Sequence, residues 1–348
     1  IIRVTMPCRR SGPLQRCLPV LCVVAGHARA FSHSQRAWQA VPGAVRMAAA
    51  RAEPDAGHPA LRLRELLDAQ PQSGSVLLMP CCYDGLTARL VENAGFPLTF
   101  MTGFGVSAVH GVPDTQLLSY GEMQAAARVI TSSLQAIPCI GDGDTGYGNP
   151  MNVQRTVHGY HQVGLAGIML EDQVSPKRCG HVAGKSVVGR EEAVQRIRAA
   201  VLAREEIRAQ GGDMIILART DARGTDGMDE AIERCRRFRE EGADITFLEA
   251  PESVEEMREY CDKVEGPKLA NMLENGLTPI LPPKELAEMG YTIAAYPLSL
   301  LAASIHAMDQ ALSRLALGEP LDDILCSFSR TKEAVGFSEY AKREEQFR

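Results

Sequence analysis

The sequence predicts an α/β fold: a (β/α)8 TIM-type barrel with extra helices at its C-terminal end. Three observations carry the prediction. From Ser75 onward short apolar runs alternate with segments of helical period, the alternation repeats eight times, and most runs lead into a charged or polar residue. Continuous apolar runs suit strands buried on both faces. Each parallel crossover needs a helix outside the sheet, and eight such units close a ring. An open doubly wound sheet is the alternative; against it, no GxGxxG follows the first run.

In chain order, Val76–Met79 is the first strand and Gly85–Asn93 the helix behind it. Leu98–Thr102 and Gly121–Ser133 form the second unit; Cys139–Ile140, running into Asp142, and Met151–Val163 form the third. The fourth pairs Ile168–Leu170, ending at Glu171, with Arg190–Arg208; the fifth pairs Met214–Ala218, before Arg219, with Met228–Glu241. Ile245–Leu248 and Val254–Val264 are the sixth, Lys268–Met272 and Lys284–Met289 the seventh, Thr292–Tyr296 and Leu298–Leu317 the eighth. Gly95, Gly164, Gly211, Gly242 and Gly290 stand where helices end, the position a left-handed residue takes. The barrel therefore spans 75–318, after a linker and N-terminal helix over 53–74 and before a charged helical extension over 319–348. The 348-residue length suits this division, since one barrel takes about 250 residues.

Residues 1–52 hold eight Arg and no Asp or Glu, so they read as a targeting extension rather than part of the fold. With Met6 as a start, Arg9, Arg10 and Arg16 make a basic region, Leu18–Val24 a short apolar core, and Ala28-Arg29-Ala30 a cleavage site before Phe31. That order suggests a bipartite signal and transit leader to a plastid, with the mitochondrial matrix as the alternative. The apolar core is too short to span a membrane, and no other candidate span occurs. A net charge of −6, a single Trp and no dense Lys/Arg block speak against a nucleic-acid partner. The ten Cys contain no CxxC pair, so neither a zinc cluster nor a disulfide framework is indicated. All but Cys179 read as reduced and mostly buried thiols.

Residues at the C-terminal ends of barrel strands converge on one mouth. Here strand three ends Gly141-Asp142-Gly143-Asp144-Thr145-Gly146, strand four Glu171-Asp172, strand five Arg219-Thr220-Asp221 and strand six Glu249, while strand seven brings Asn271 and Glu274. One such acid is readily a cap or a solvated turn residue. Acids on several strands crowding one rim repel unless a cation neutralises them, and oxygen ligands suit Mg²⁺. The loop after strand four carries Lys177-Arg178-Cys179-Gly180-His181. A Cys between cations and beside a His has a stabilised thiolate and a proton relay, and Gly180 permits tight backbone geometry. Alone, that loop is as readily an exposed basic loop with an incidental Cys.

With these motifs, residues 75–318 resemble the isocitrate lyase / phosphoenolpyruvate mutase superfamily, on its methylisocitrate lyase, dimethylmalate lyase and petal-death-like branch. The matching stretches include Thr102-Gly103, Gly111-Val112-Pro113-Asp114, Asp142 through Gly146, Leu170-Glu171-Asp172-Gln173, Lys177 through His181, Ala218 through Ala222, Glu249-Ala250-Pro251 and Ala270-Asn271-Met272. The resemblance implies Mg²⁺, with Mn²⁺ as an alternative, on Asp142 and Asp144, with Glu171 acting through water. It implies a substrate carboxylate at Thr102, Gly103 and Phe104, where Thr102 replaces the usual Ser, and a bidentate pairing of Arg219 with a carboxylate. Asp114, Gly180, Glu249 and Asn271 line the pocket in the same reading, and Lys177, Cys179 and His181 lie on a mobile gating loop with Cys179 as proton donor.

The implied activity is a Mg²⁺-dependent C–C lyase that cleaves a small 2-hydroxy dicarboxylate into a 2-oxo acid and a carboxylic acid. The Cys of the gating loop favours a lyase over a phosphonomutase. Strand eight reads Tyr296-Pro297-Leu298-Ser299-Leu300-Leu301-Ala302. Methylisocitrate lyases carry Arg where Ala302 stands, and oxaloacetate hydrolases tend to Ser at Pro297, so 2-alkylmalate substrates are favoured over methylisocitrate. Phosphoenolpyruvate or carboxyvinyl-carboxyphosphonate mutase, oxaloacetate hydrolase and a non-catalytic binding barrel remain as alternatives. The resemblance further implies a homotetramer that exchanges the helix Leu298–Leu317 between neighbours. Met289 and Met308 read as core, and the Arg/Glu alternation over 228–241 as a solvated helix face.

Overall fold

The computed structural model describes residues 57–70, 74–178, 180 and 184–348. The expected targeting segment 1–52 lies outside the described residues, as do Cys179 and His181.

Eight parallel strands form the sheet: β1 (Leu77–Cys82), β2 (Thr99–Met101), β3 (Cys139–Asp142), β4 (Gly167–Glu171), β5 (Ile215–Thr220), β6 (Ile245–Leu248), β7 (Leu269–Asn271) and β8 (Ile293–Tyr296). Their order is β6-β5-β4-β3-β2-β1-β8-β7, and a parallel bridge from Thr246 to Lys268 joins the two ends into a nearly closed barrel. The register decides what meets at the mouth. Asp142 stands beside Met169, Glu171 beside Arg219, and Arg219 beside Phe247.

The helices are α1 (Pro59–Ala69), α2 (Gly85–Asn93), α3 (Gly103–Val109), α4 (Tyr120–Ser133), α5 (Pro150–Gln162), α6 (Arg190–Ala209), α7 (Arg223–Asp226), α8 (Met228–Glu240), α9 (Val254–Lys263), α10 (Pro283–Met289), α11 (Ser299–Leu317), α12 (Phe328–Ala334) and α13 (Phe337–Glu344). Asp84, Ser119 and Asn149 open α2, α4 and α5 with reciprocal capping boxes. The five glycines expected at helix ends all take positive φ, from 85° at Gly211 to 106° at Gly290.

Met79, Phe100, Met169, Leu217, Phe247 and Leu269 belong to the cluster filling the barrel, and Leu63 and Leu67 of α1 pack into the same cluster. Arg64 of α1 pairs with Asp213, two residues before β5, and with Asp244, just before β6, so α1 closes the N-terminal end.

Two short helices escape a periodicity reading. The seven residues of α3 include two glycines and present no apolar stripe; the helix forms because the Thr102 hydroxyl caps the Gly105 N–H. The single turn of α7 is held by Ala222, whose carbonyl accepts from Asp226 and Gly227. Two expectations are corrected. Met308 is 55% exposed, because only Leu301 of α11 is buried in this chain. The stretch 228–241 is not a purely solvated face: Arg234 is buried and donates to Asp172 and Glu230. Met289 is buried as expected.

Candidate active site

The strand ends open into a cleft of about 660 Å³, partly open to solvent. Thr102, Phe104, Asp114, Asp142, Lys177, Gly180, Arg219, Glu249 and Asn271 line it, nine of the residues singled out from the sequence. Gly103, Asp144 and Glu171 lie at or behind the same wall, through contacts to Asp142, Lys177 and Arg219 respectively. The chain brings them together from β2, β3, β4, β5, β6 and β7 because parallel strands present their C-terminal ends on one side.

On the β3 side, Asp142 accepts from the backbone N–H of Gly103 (3.2 Å) and of Asp144 (3.0 Å). Gly103 is required for space: a Cβ there would lie 2.4 Å from Asp142 Oδ2. Asp144 takes a left-handed φ of 48°. The Lys177 ammonium sits among three carboxylates, 2.6 Å from Asp144, 3.2 Å from Asp114 and 3.5 Å from Asp142. Burial opposes its charge, and these acids with Glu171 outweigh burial and hold it protonated. Burial raises the Asp144 carboxyl, Lys177 pulls it back, and Asp142 and Asp114 raise it again, leaving it at about 6. With several acids around one ammonium, the cation keeps its proton and one carboxylate is left nearest to taking one.

The three carboxylates expected to share a metal do not converge in this arrangement. Among the described residues no group of three His, Cys, Asp or Glu side chains forms a ligand set, and Lys177 stands between Asp142 and Asp144. The donor chemistry nevertheless fits a hard divalent cation. Asp142 and Asp144 offer oxygens at the rim, and both oxygens of Glu171 are buried without a hydrogen-bond partner. Burial drives the Glu171 carboxyl well above its usual range, opposed by Arg219 and Lys177.

On the β5 side, Arg219 lies over the Phe247 ring, with 5.3 Å from its guanidinium carbon to the centroid. Its fork is already bidentate to Asp221, at 2.9 and 3.1 Å, and it approaches Glu249 (3.3 Å) and Glu171 (3.5 Å). A substrate carboxylate therefore meets an arginine held by its own chain rather than a free fork. Burial pushes the Asp221 carboxyl up, Arg219 and Lys185 outweigh that, and it falls to about 2. Asn271 Nδ2 donates to Glu249 at 3.3 Å. Gly180 packs so closely that a Cβ would lie 2.4 Å from Arg219 Nη2. Space, not an unusual φ, is what requires glycine there.

Several residues escaped the sequence reading. Gln116, at a left-handed φ of 57°, accepts from the Lys177 N–H (3.1 Å) and donates to Thr145 (2.9 Å). Gln173 pairs with both backbone groups of Arg178, at 2.8 and 2.9 Å. Asp172, expected at the mouth with Glu171, instead faces away from the cleft and accepts from the Thr220 hydroxyl (2.6 Å), the Asp221 N–H (2.9 Å) and Arg234 (2.9 Å). Only the motif neighbourhood signalled Gln173 and Asp172; nothing local signalled Gln116. On the opposite side the cleft wall is apolar, with Leu273, Pro297 and Leu298. Ala302, used above to judge substrate size, is exposed on α11 and does not line the cleft.

Residues 64–316 match the phosphoenolpyruvate phosphomutase family. 2,3-Dimethylmalate lyase from Eubacterium barkeri is 40% identical over 292 residues, covering 83% of this chain and 98% of the relative. A chloroplastic carboxyvinyl-carboxyphosphonate phosphorylmutase from Arabidopsis thaliana is 40% identical over 262 residues, covering 74% of this chain and 76% of the relative. A crystal structure of 2,3-dimethylmalate lyase superposes with a TM-score of 0.78 at 39% identity, covering 83% and 95% of the two chains. Phosphonopyruvate hydrolase in complex with oxalate and Mg²⁺ superposes with a TM-score of 0.72 at 27% identity, covering 83% and 99%. With the barrel, the acidic rim and these similarities in hand, the chain belongs to the phosphoenolpyruvate mutase / isocitrate lyase superfamily.

Proposed function

We propose that the protein is a Mg²⁺-dependent C–C lyase that cleaves a 2-hydroxy dicarboxylate of the 2-alkylmalate or methylisocitrate type into a 2-oxo acid and a carboxylic acid. The observation that carries this reading is the pairing, in one cleft, of the Asp142–Asp144 rim and the buried Glu171 carboxylate, whose oxygens accept no hydrogen bond, with a fixed arginine. It is supported by the likeness to dimethylmalate lyase over most of the barrel.

Asp142 and Asp144 would hold the cation, with Glu171 behind them. A bound Mg²⁺ supplies Lewis-acid stabilisation of charge on the substrate's 2-oxygen and adjoining carboxylate. Arg219 orients the carboxylate beside the 2-oxygen, its plane fixed by Asp221 and its face by Phe247. Thr102, Gly103 and Phe104 sit at the start of α3, the place for the other carboxylate, with the Gly103 N–H shared with Asp142. Cleavage turns the 2-hydroxyl into the 2-oxo group, its proton passing to a carboxylate of the acidic rim; the electron pair is left on the carbon next to the released carboxylate, and Cys179, between Arg178 and Gly180 in the chain, donates the proton that quenches it. Lys177, with Asp114, anchors the start of that segment, and His181 is the candidate relay. The apolar wall of Leu273, Pro297 and Leu298 suits an alkyl substituent.

Release of 2-oxo acid from 2-alkylmalates, methylisocitrate and oxaloacetate, measured with Mg²⁺, tests the reading. Turnover of phosphonopyruvate alone overturns it in favour of a phosphonomutase. Cys179→Ser is expected to lower kcat by roughly 100-fold or more with little change in KM, in the usual range for a proton-transfer group; a full rate in that variant removes Cys179 from the proton step.

The chain is also proposed to assemble as a homotetramer in which α11 is exchanged. Support comes from the exposed Ile305, Met308, Leu312 and Leu315 on α11 and from an apolar groove lined by Leu78, Leu90, Phe96 and Leu300. Light scattering reads the mass. Residues 1–52 are proposed as a plastid leader, a destination in keeping with the chloroplastic relative, with the mitochondrial matrix as the alternative. Among the described residues no helix is long and apolar enough to cross a membrane.

A further inference from the structure

The role given to Arg219 leaves a physical problem. Its guanidinium lies against three acids, Asp221 at 2.9 Å, Glu249 at 3.3 Å and Glu171 at 3.5 Å. An arginine so outnumbered in a buried setting is a poor receptor for one more carboxylate, because the field around it is negative. A second cation at the same cluster changes that balance. Lys185 Nζ donates to Asp221 Oδ1 at 3.1 Å and to the Gly180 carbonyl at 2.7 Å.

We propose that Lys185 is a positioning residue for Arg219: it shares the Asp221 carboxylate with the guanidinium and ties the Gly180 backbone to it, so that Arg219 keeps its plane and enough net positive charge to take a substrate carboxylate. The inference rests on the reading of Arg219 as a carboxylate-binding group.

Four features support it. The Lys185 side chain is 9% exposed and that of Asp221 0%, so their interaction is weakly screened by solvent. Asp221 Oδ1 accepts from both cations while Oδ2 accepts from Arg219 Nε, so the carboxylate is a rigid bridge and not a free anion. The bridge is itself fixed from behind, since the Asp221 N–H donates to Asp172 at 2.9 Å. Lastly, the carbonyl that Lys185 holds belongs to the glycine whose Cα packs on Arg219 Nη2. One ammonium thus sets both the charge beside the guanidinium and the backbone lying over it. Lys185 does not line the cleft, so it acts on the substrate through Arg219 and through the Gly180 backbone that it holds.

The test uses the full chain with Mg²⁺ and oxalate as the probe. Oxalate affinity is measured by calorimetry for the wild type and for Lys185→Met, Lys185→Gln and Lys185→Arg, with Mg²⁺ affinity measured without oxalate and KM and kcat on whichever dicarboxylate is cleaved. Lys185→Met is expected to weaken oxalate by roughly 10- to 100-fold, the scale of one buried charge-assisted bond, and to raise KM in step. Mg²⁺ affinity is expected to stay at the wild-type value. Lys185→Gln, which keeps a donor for Gly180 but no charge, should follow Met in oxalate binding while melting like the wild type; Lys185→Arg should recover most of the affinity. Wild-type oxalate affinity in both Met and Gln variants overturns the proposal. So does a parallel loss of oxalate affinity, Mg²⁺ affinity and melting temperature, which marks a structural role. A wild type that neither binds oxalate nor cleaves any dicarboxylate sinks the reading of Arg219 itself, and this inference with it.

Discussion

Arg234→Met isolates the most consequential buried ion pair behind the site. Arg234 and Asp172 are 4% and 1% exposed in their side chains and meet at 2.9 Å. Arg234 also donates to Glu230 at 2.8 Å, but that acid is 20% exposed and keeps Arg190 as a second partner. The Glu230 contact is therefore worth about 0.5 kcal/mol, whereas leaving Asp172 buried without its cation costs about 3–5 kcal/mol. For a chain of this size about 3–5 kcal/mol lowers the melting temperature by roughly 10 °C. The assay is thermal unfolding followed by circular dichroism at neutral pH, repeated at lower pH. Burial raises the Asp172 carboxyl above its ordinary value, with Asp221 adding to the rise, and Thr220, the Asp221 N–H and Arg234 oppose it. A group whose folded pKa is raised loses stability as pH increases through that range, and Arg234→Met raises it further. The deficit should accordingly be largest at neutral pH and shrink in acid as Asp172 takes a proton. Asp172→Asn combined with Arg234→Met should recover at least half the loss, because the uncompensated charge is gone. A single-variant cost below about 1 kcal/mol, or costs that simply add in the double variant, would refute the reasoning. Activity should fall as well, since Asp172 carries the Asp221 N–H and so the bridge to Arg219.

Three further outcomes are expected. Gly103→Ala places a Cβ 2.4 Å from Asp142 Oδ2; the displaced carboxylate should weaken Mg²⁺ by roughly 10- to 100-fold with the fold intact, read by calorimetry and circular dichroism. Burial raises the Asp213 carboxyl, but Arg64, Arg208 and the Met214 N–H outweigh it and leave it below its ordinary value. Its stability contribution is then present above the unfolded-state pKa and lost as pH falls through the depressed folded value, and Asp213→Asn should flatten the acid limb of the melting profile. Removing divalent metal with EDTA should lower the melting temperature, by about 2.7 kcal/mol of stability relative to Mg²⁺ at 100 times its Kd, and an unchanged melt would argue against Asp142, Asp144 and Glu171 as a cation site.

Much of the fold was legible because its causes are local. Ile245–Leu248 matches β6 residue for residue, Gly85–Asn93 matches α2, and the other long elements differ at an end by at most three residues. Apolar runs and glycine stops report chain-local preferences that the barrel does not override. What failed is instructive. A Met-rich helix face points to core at Met308, yet α11 buries only Leu301 within its own chain. Arg234 was read as solvated because the Arg/Glu pattern of α8 is polar overall, and only its Asp172 partner explains its burial.

By itself the sequence determined the alternation of eight strands and helices, the polar residues at strand ends, and hence a single mouth rimmed by Asp142, Asp144, Glu171, Arg219 and Glu249. Those follow from period, composition and the geometry of parallel strands. Only the tertiary structure decided who pairs with whom at that mouth. It set Lys177 among Asp114, Asp142 and Asp144, gave the Arg219 fork to Asp221, brought in Lys185 as a second cation, and left Glu171 without a hydrogen-bond partner. The physical reason is that a buried charge is settled by its nearest neighbours within a few ångströms, and those neighbours come from strands and loops far apart in the chain.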